Sequence, residues 1–158
     1  MTEIQIKIGV LIQKNDSLLL IKEKYDQNRA YRWNIIKGTF EPEADKNIIT
    51  AAKRESEEEA GACVDINHIL NIFFLKRKNK LTIQFNFLAS LTKETLKISD
   101  KKEQKQREEN IAELRFFNKE ELKKIKKEEF INTRAYLAVQ DWIEGKRYNL
   151  ELLQILSE

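Results

Sequence analysis

From Ile4 to Ile12 apolar side chains occupy every second position (Ile4, Ile6, Ile8, Val10, Ile12), the period of a strand with one buried face. Such a strand needs hydrogen-bonding partners along its edges and a cover for its apolar face, so the rest of the chain must supply both. Asn15, Asp16 and Ser17 make a turn, and Leu18 to Ile21, apolar on both faces, reads as a buried strand returning along the first as a hairpin. A polar loop from Glu23 to Arg32 follows. Trp33 to Ile36 is another short apolar piece, and Gly38 to Asp45, with the only proline (Pro42) and several acids, predicts irregular backbone.

Between Asn47 and Ala60 there is neither Pro nor Gly, and Ile48, Ala51, Ala52 and Glu55 fall on one helical stripe. Asp45 or Asn47 can cap the start of this helix, and Gly61 is placed to stop it. Apolar runs at Ile69 to Leu75 and Leu81 to Leu91, separated by Lys76 to Lys80, predict a second hairpin. The tract DKKEQKQREEN (Asp100 to Asn110) has no core residue and reads as an exposed loop. Ile111 to Phe117 reads as a last strand, Asn118 as the cap of a short helix to Ile125, and Thr133 as the start of a longer helix to about Glu144. Tyr136, Leu137, Val139, Gln140 and Ile143 form that helix's expected inner face. Irregular alternation of strands and helices, with no internal repeat and no linker, predicts an α+β domain over residues 1–158, an α/β/α sandwich with a mixed sheet between helices.

Composition removes whole classes of chemistry. With 158 residues, 41% apolar and 35% charged, the chain is large enough to bury roughly 70% of its unfolded surface and is not globally disordered. One cysteine (Cys63) excludes an intrachain disulfide, and with one histidine (His68) it excludes a zinc-finger cage, so a metal here must rest on oxygen ligands. No run approaches the ~20 apolar residues that span a bilayer, and no basic region precedes an apolar block, so a cytoplasmic address is the default expectation. A net charge of +3 mildly favours anionic ligands without the clustered excess of nucleic-acid binders.

The chemistry concentrates in KGTFEPEADKNIITAAKRESEEEAGA. On a helix Glu55, Glu58 and Glu59 are related by i, i+3 and i+4, so three carboxylates converge within one turn and repel. A divalent cation taking oxygen ligands is the simplest relief. Because these acids continue the stripe of Ile48, Ala51 and Ala52, Glu55 is expected at the rim of the core. The acidic loop leading into the helix offers N–H groups and a positive helix end to phosphate oxygens.

This block resembles the signature of the Nudix hydrolases, G-x5-E-x7-R-E-U-x-E-E-x-G-U with U apolar. Its second half is matched by Arg54, Glu55, Glu58, Glu59 and Gly61, with Ser56 where an apolar residue is usual. The first half departs: 15 residues separate Gly38 from Arg54, two more than in the signature, and the first signature Glu falls on Ala44 or Lys46 depending on the end counted from. Glu43 and Asp45 are the acids near enough to substitute. WNIIKG (Trp33 to Gly38) and IAELRFFNKEEL (Ile111 to Leu122) extend the resemblance over about residues 4 to 144.

The resemblance implies a Mg²⁺-dependent pyrophosphohydrolase, with Mn²⁺ as an alternative, acting on a nucleoside diphosphate linked to a moiety X. It implies Glu55, Glu58 and Glu59 as metal ligands, Arg54 as an orienting partner for a carboxylate, and Lys37 and Gly38 beside the phosphates. A further acid from a later loop commonly serves as base; Glu108, Glu109 and Glu113 are candidates and Glu109 is preferred. Phe117 or Phe116 is a candidate to stack a base, one of the two being core, and Tyr25 and Tyr31 are open alternatives. The partner is a small nucleotide; neither membrane nor nucleic acid is expected, although a capped RNA end presents the same diphosphate. A homodimer is compatible with the family. Two competing classes are a non-catalytic nucleotide-sensing or protein-binding module, which tends to lose box glutamates, and an isoprenoid diphosphate isomerase, which needs a reactive cysteine. Cys63 reads instead as a small buried residue.

Overall fold

Strand β1 (Glu3–Lys14) is the axis of the sheet. In the computed structural model, which describes residues 1–25 and 30–156, its inner edge pairs in parallel along β6 (Lys80–Leu91), and β6 pairs antiparallel with β5 (Val64–Arg77). The other edge of β1 is divided. Only Gln13 and Lys14 pair with β2 (Ser17–Lys24), while Lys7 to Val10 pair with β4 (Ile36–Thr39). The first hairpin is therefore closed only at its tip. Beyond it β1 and β2 diverge, and the chain of β3 (Tyr31–Asn34) and β4 fills the fork, β3 on β2 and β4 on β1. The outer edge of β2 carries β7 (Ile111–Asn118), and a two-residue β8 (Tyr148–Asn149) touches the start of β5.

Both faces of this mixed sheet are covered by helices. Helix α1 (Ile48–Ala60) packs on Ile8, Val10, Ile12, Leu19, Ile21 and Phe87. On the other face α4 (Thr133–Ile143) and α3 (Lys119–Lys124) close over Leu11, Leu18, Leu20, Trp33 and Leu70. Two short partners complete the path, α2 (Lys101–Gln106) before β7 and the parallel bridge of Trp33 to Phe130. Among the described residues no helix is long and apolar enough to cross a membrane.

Several expectations change once strands have neighbours. Ile4 is 67% exposed, whereas Ile8 to Ile12 are buried on both faces, because helices cover β1 only where it crosses the middle of the sheet. The polar loop begins later than expected: Glu23 belongs to β2. Residues 26–29 of that loop lie outside the described residues. β5 starts at Val64, β8 follows β7 as a last strand, and DKKEQKQREEN is not a plain loop, since Lys101–Gln106 is helical and Gln104 is buried. The Gln104 amide is satisfied in that position, donating to the Ser99 carbonyl at 2.9 Å and accepting the Ile111 N–H at 2.6 Å. The inner face of α4 is Ala135, Ala138, Val139 and Trp142; Leu137 is exposed and Tyr136, Gln140 and Ile143 are half-buried.

The ends of α1 are fixed locally. Of the two candidate caps it is Asn47 that serves, its Oδ1 accepting the N–H groups of Ile49 and Thr50 at 2.9 and 3.0 Å while Thr50 Oγ1 accepts the Asn47 N–H at 3.0 Å. Gly61 ends the helix at φ 59°, a left-handed conformation where a Cβ would also press on the Lys97 backbone. Removing the cap in Asn47→Ala should lower unfolding free energy by about 1 kcal/mol, seen in urea titration as a lower midpoint at unchanged slope.

Candidate active site

The fork between β1 and β2 opens beside the second half of α1, and there lies a cleft of about 520 Å³. Its wall carries Glu55, Glu58 and Glu59 from α1, Glu23 from β2, Lys37 to Thr39 from β4, and Arg107 to Asn110 from the segment after α2. Seven glutamates and four cations line it. The acids of the helix stripe therefore do face a cleft, and Glu55 and Glu59, 5% and 2% exposed, sit at the boundary of the core. Ser56, the residue out of place in the apolar position, is fully buried; its hydroxyl donates back to the Ala52 carbonyl at 2.8 Å, which removes the cost of burying it.

Arg54 organises this wall. Its Nε and Nη2 form a fork on the Asp45 carboxylate, both at 2.8 Å, and Nη2 also donates to the Thr39 carbonyl at 3.0 Å. Its remaining nitrogen, Nη1, donates to Glu55 at 2.9 Å and Glu58 at 3.1 Å. Asp45 thus supplies the buried acid that the longer loop lacks at the signature position, while Glu43 is exposed. Hydrogen bonds from Arg54 hold the Asp45 carboxyl below its ordinary value, against the effect of burial. Gly38 has a steric reason: a Cβ there would fall on the Glu55 carboxylate.

Lys37 stands between two acids. Its ammonium lies 3.3 Å from Glu23 and 3.6 Å from Glu59, and its backbone N–H donates to Glu59 at 2.9 Å. Burial disfavours its charge, yet Glu59 and Glu23 outweigh burial and raise its pKa. Glu23 lies outside the sequence expectations. Its signal is the period of two, because Leu19, Ile21 and Glu23 share one face once β2 is extended by two residues.

Glu109 lines the cleft without being on a free loop. Arg107 holds its carboxylate at 3.1 Å and, through Nη2, grips the Glu58 carbonyl at 2.9 Å, so this segment is tied to α1. Burial raises the Glu109 pKa, with Arg107 opposing. Glu108 also lines the cleft, but Glu113 does not, facing Lys22 at 3.8 Å across β2 and β7. Phe117 is corrected to a core residue: it is 4% exposed, edge-on to Trp33 at 4.7 Å, and points to the α4 side, so it is not available to stack a base from the cleft. Phe116 packs toward the α1 core. Tyr25 is stacked under Arg32 at 3.7 Å, and Tyr31 lies in a groove beside Glu108 to Ala112. Cys63 is half-buried and does not line the cleft. At the start of α1 the N–H groups of Ile49, Thr50 and Ala51 are taken by Asn47, and it is the second half of the helix that faces the cleft.

Among the described residues no three acidic, imidazole or thiol groups stand in chelating geometry, and Arg54 and Lys37 form ion pairs with the carboxylates of α1. The donor set nevertheless fits a hard divalent cation: all oxygen, crowded, and partly desolvated. Burial pushes Glu55 up to about 7 and Glu59 up to about 8, with Arg54 and Lys37 respectively opposing. Both values lie above the ordinary 4.5, so between about pH 4.5 and pH 8 the native state binds more protons than the unfolded chain. Stability contributed by the protonated carboxyls is complete below that window and is lost as pH rises through it; Asp45, shifted the other way, acts below the window. The melting temperature of protein kept in chelator should therefore fall from about pH 5 to about pH 8, and Glu59→Gln should flatten the fall.

Comparison with known proteins bears on the whole of this architecture. A comparison with curated proteins finds no significant match. The family described as NUDIX domain matches residues 4–138. Among solved structures, a NUDIX hydrolase from Nitrosomonas europaea is similar with a TM-score of 0.77 at 22% identity, covering 98% of each chain. A MutT NUDIX hydrolase from Burkholderia pseudomallei gives 0.65 at 17% identity, covering 88% of this chain and 98% of that one. The NUDIX domain of Shewanella oneidensis NrtR, complexed with ADP ribose, gives 0.63 at 7% identity over 92% and 88%. At these identities the structures speak for the fold, and the match over residues 4–138 speaks for descent. With Arg54, Glu55, Glu58 and Glu59 of the matched run lining the cleft, the chain belongs to the Nudix hydrolase family.

Proposed function

We propose that this chain, acting as one domain over residues 1–158, hydrolyses the pyrophosphate bond of a nucleoside diphosphate linked to a moiety X. Water adds to one phosphorus, the bridging P–O bond breaks, and nucleoside monophosphate and phospho-X leave. The observation that carries this reading is the gathering of Glu55, Glu58 and Glu59 with Glu23 and Glu109 in one cleft, more acid than its cations balance. Pyrophosphohydrolysis is the typical activity of the family, and the ADP ribose bound by the Shewanella domain is a diphosphate of this class.

Glu55, Glu58 and Glu59 would hold the metal, Mg²⁺ or alternatively Mn²⁺. When bound it supplies charge neutralisation at the phosphate oxygens and acidification of water. Arg54 keeps its fork on Asp45 while its Nη1 arm is the part free to release Glu55 and Glu58. Lys37 brings a cation to the cleft, suited to a phosphate oxygen. Glu109, raised in pKa by burial and held by Arg107, is positioned to accept a proton from water.

Formation of nucleoside monophosphate and phospho-X, followed by chromatography over a panel of dinucleotides, nucleotide sugars, oxidised nucleoside triphosphates and capped RNA ends, tests the proposal. Binding without cleavage across the panel would support a non-catalytic sensing module instead. Glu58→Gln and Glu59→Gln should each lower turnover by about 10² or more at saturating Mg²⁺ with the fold intact by circular dichroism. Glu109→Gln should lower kcat by about 10² while metal affinity, followed by calorimetry, stays near wild type. Its deficit should shrink at high pH, where hydroxide replaces the base; equal kcat across the pH range would move the role to Glu108.

A further inference from the structure

Lys37 lines a second cavity as well as the cleft. β1 and β4 pair Lys7 with Thr39 and Gly9 with Lys37, so these residues share the α4 side of the sheet with Gln84 of β6. There, under the first turn of α4, a cavity of about 140 Å³ is lined by Lys7, Lys37, Arg134, Asn34, Gln84 and Asn132. Among the described residues no carboxylate lines it, in contrast to the cleft.

Arg134 is the informative residue. Its Nη1 is buried and has no hydrogen-bond partner, the one such side-chain nitrogen or oxygen found among the described residues. Guanidinium cannot shed its charge, so a buried donor without an acceptor is a standing cost. The surroundings add to it. Burial and then Arg77 depress the Arg134 pKa, and burial followed by Lys37, Arg134 and Lys80 depresses that of Lys7, whose ammonium donates to a neutral hydroxyl, Thr39 Oγ1, at 2.6 Å. The amide side chains are largely committed: Asn34 to Glu23 and to the Ile35 N–H, Gln84 Nε2 to Asn86, and Asn132 Oδ1 to the Ala135 N–H. What the cavity offers is cationic donors, not an edge for reading a base. Its volume is well below the ~300 Å³ at which whole-ligand pockets begin, so it suits one compact group.

We propose that this cavity is an anion-binding subsite that receives a phosphate or carboxylate carried on X, reached past Lys37 from the cleft. Only the assignment to X rests on the hydrolase reading; the anion site stands on its own geometry. An anion there would satisfy Arg134 with charge-assisted hydrogen bonds and offset the repulsion that Lys37 and Arg134 exert on Lys7.

Inorganic phosphate, titrated calorimetrically in chelator, tests the site. Wild type should bind it, Arg134→Gln and Lys7→Gln should each weaken binding about tenfold or more, and exposed Lys123→Gln should not. Arg134→Gln removes an unsatisfied buried group, so its melting temperature in phosphate-free buffer should equal or exceed wild type. Wild-type phosphate affinity in both variants, or no binding by wild type, overturns the proposal. For X, UDP-glucuronate and UDP-glucose differ by one carboxylate: wild type should prefer the former and Arg134→Gln should lose the preference. Equal affinities, or a preference that survives the substitution, remove the assignment to X. A protein that binds phosphate through Arg134 yet cleaves no diphosphate defeats the hydrolase reading and leaves the site; cleavage without Arg134-dependent binding does the reverse.

Discussion

The fork of Arg54 on Asp45 is the interaction on which the site depends. Three pieces of chain meet at one guanidinium: the loop before α1 through Asp45, β4 through the Thr39 carbonyl, and the helix through Glu55 and Glu58. Without a fixed cation there, Glu55, Glu58 and Glu59 would repel one another from within a single helical turn at the edge of a low-dielectric core. With it, two of those acids are held beside the cleft by one arm of the arginine while the other two nitrogens keep the loop in place. Geometry of this kind needs the planar fork of arginine, which a lysine cannot reproduce.

The second constraint is the divergence of β1 and β2. Because they pair at only two positions, β3 and β4 can enter the fork, and Lys37 reaches both the acidic cleft on one side and the cationic cavity on the other. Charge is thereby sorted by sheet face: carboxylates gather near α1 and cations near the start of α4. Gly38 and Gly9 let this happen at close quarters. A side chain at the first would collide with Glu55, and one at the second with Asn86, which joins Gln84 to Asn71 in a chain of amides that ends on the Asp141 carboxylate.

What was legible in the sequence was whatever depends on local spacing. The limits of α1, its Asn47 cap and Gly61 stop, the second hairpin, the capped helix after Asn118 and the shared face of Glu55, Glu58 and Glu59 all follow from periods of 3.6 and 2 and from end signals a few residues long. Features set by distant packing were not legible. Phe117 and Phe116 alternate, but which one meets Trp33 depends on which side of the sheet α3 and α4 cover. The stretch around Gln104 is polar enough to read as solvent-exposed, yet one amide meets two backbone groups seven and five residues away and buries it.

The sequence by itself determined the family, the acidic helix and the kind of ligand atom a metal would find, because motif order and residue chemistry are carried by neighbours along the chain. Only the tertiary structure decided that Asp45 replaces the missing signature acid, that Glu23 and Glu109 join the cleft, and that Lys7 and Arg134 meet around a separate cavity. These residues are brought together from separate elements, and the distance between two side chains across a sheet is set by register and packing, which no local period encodes.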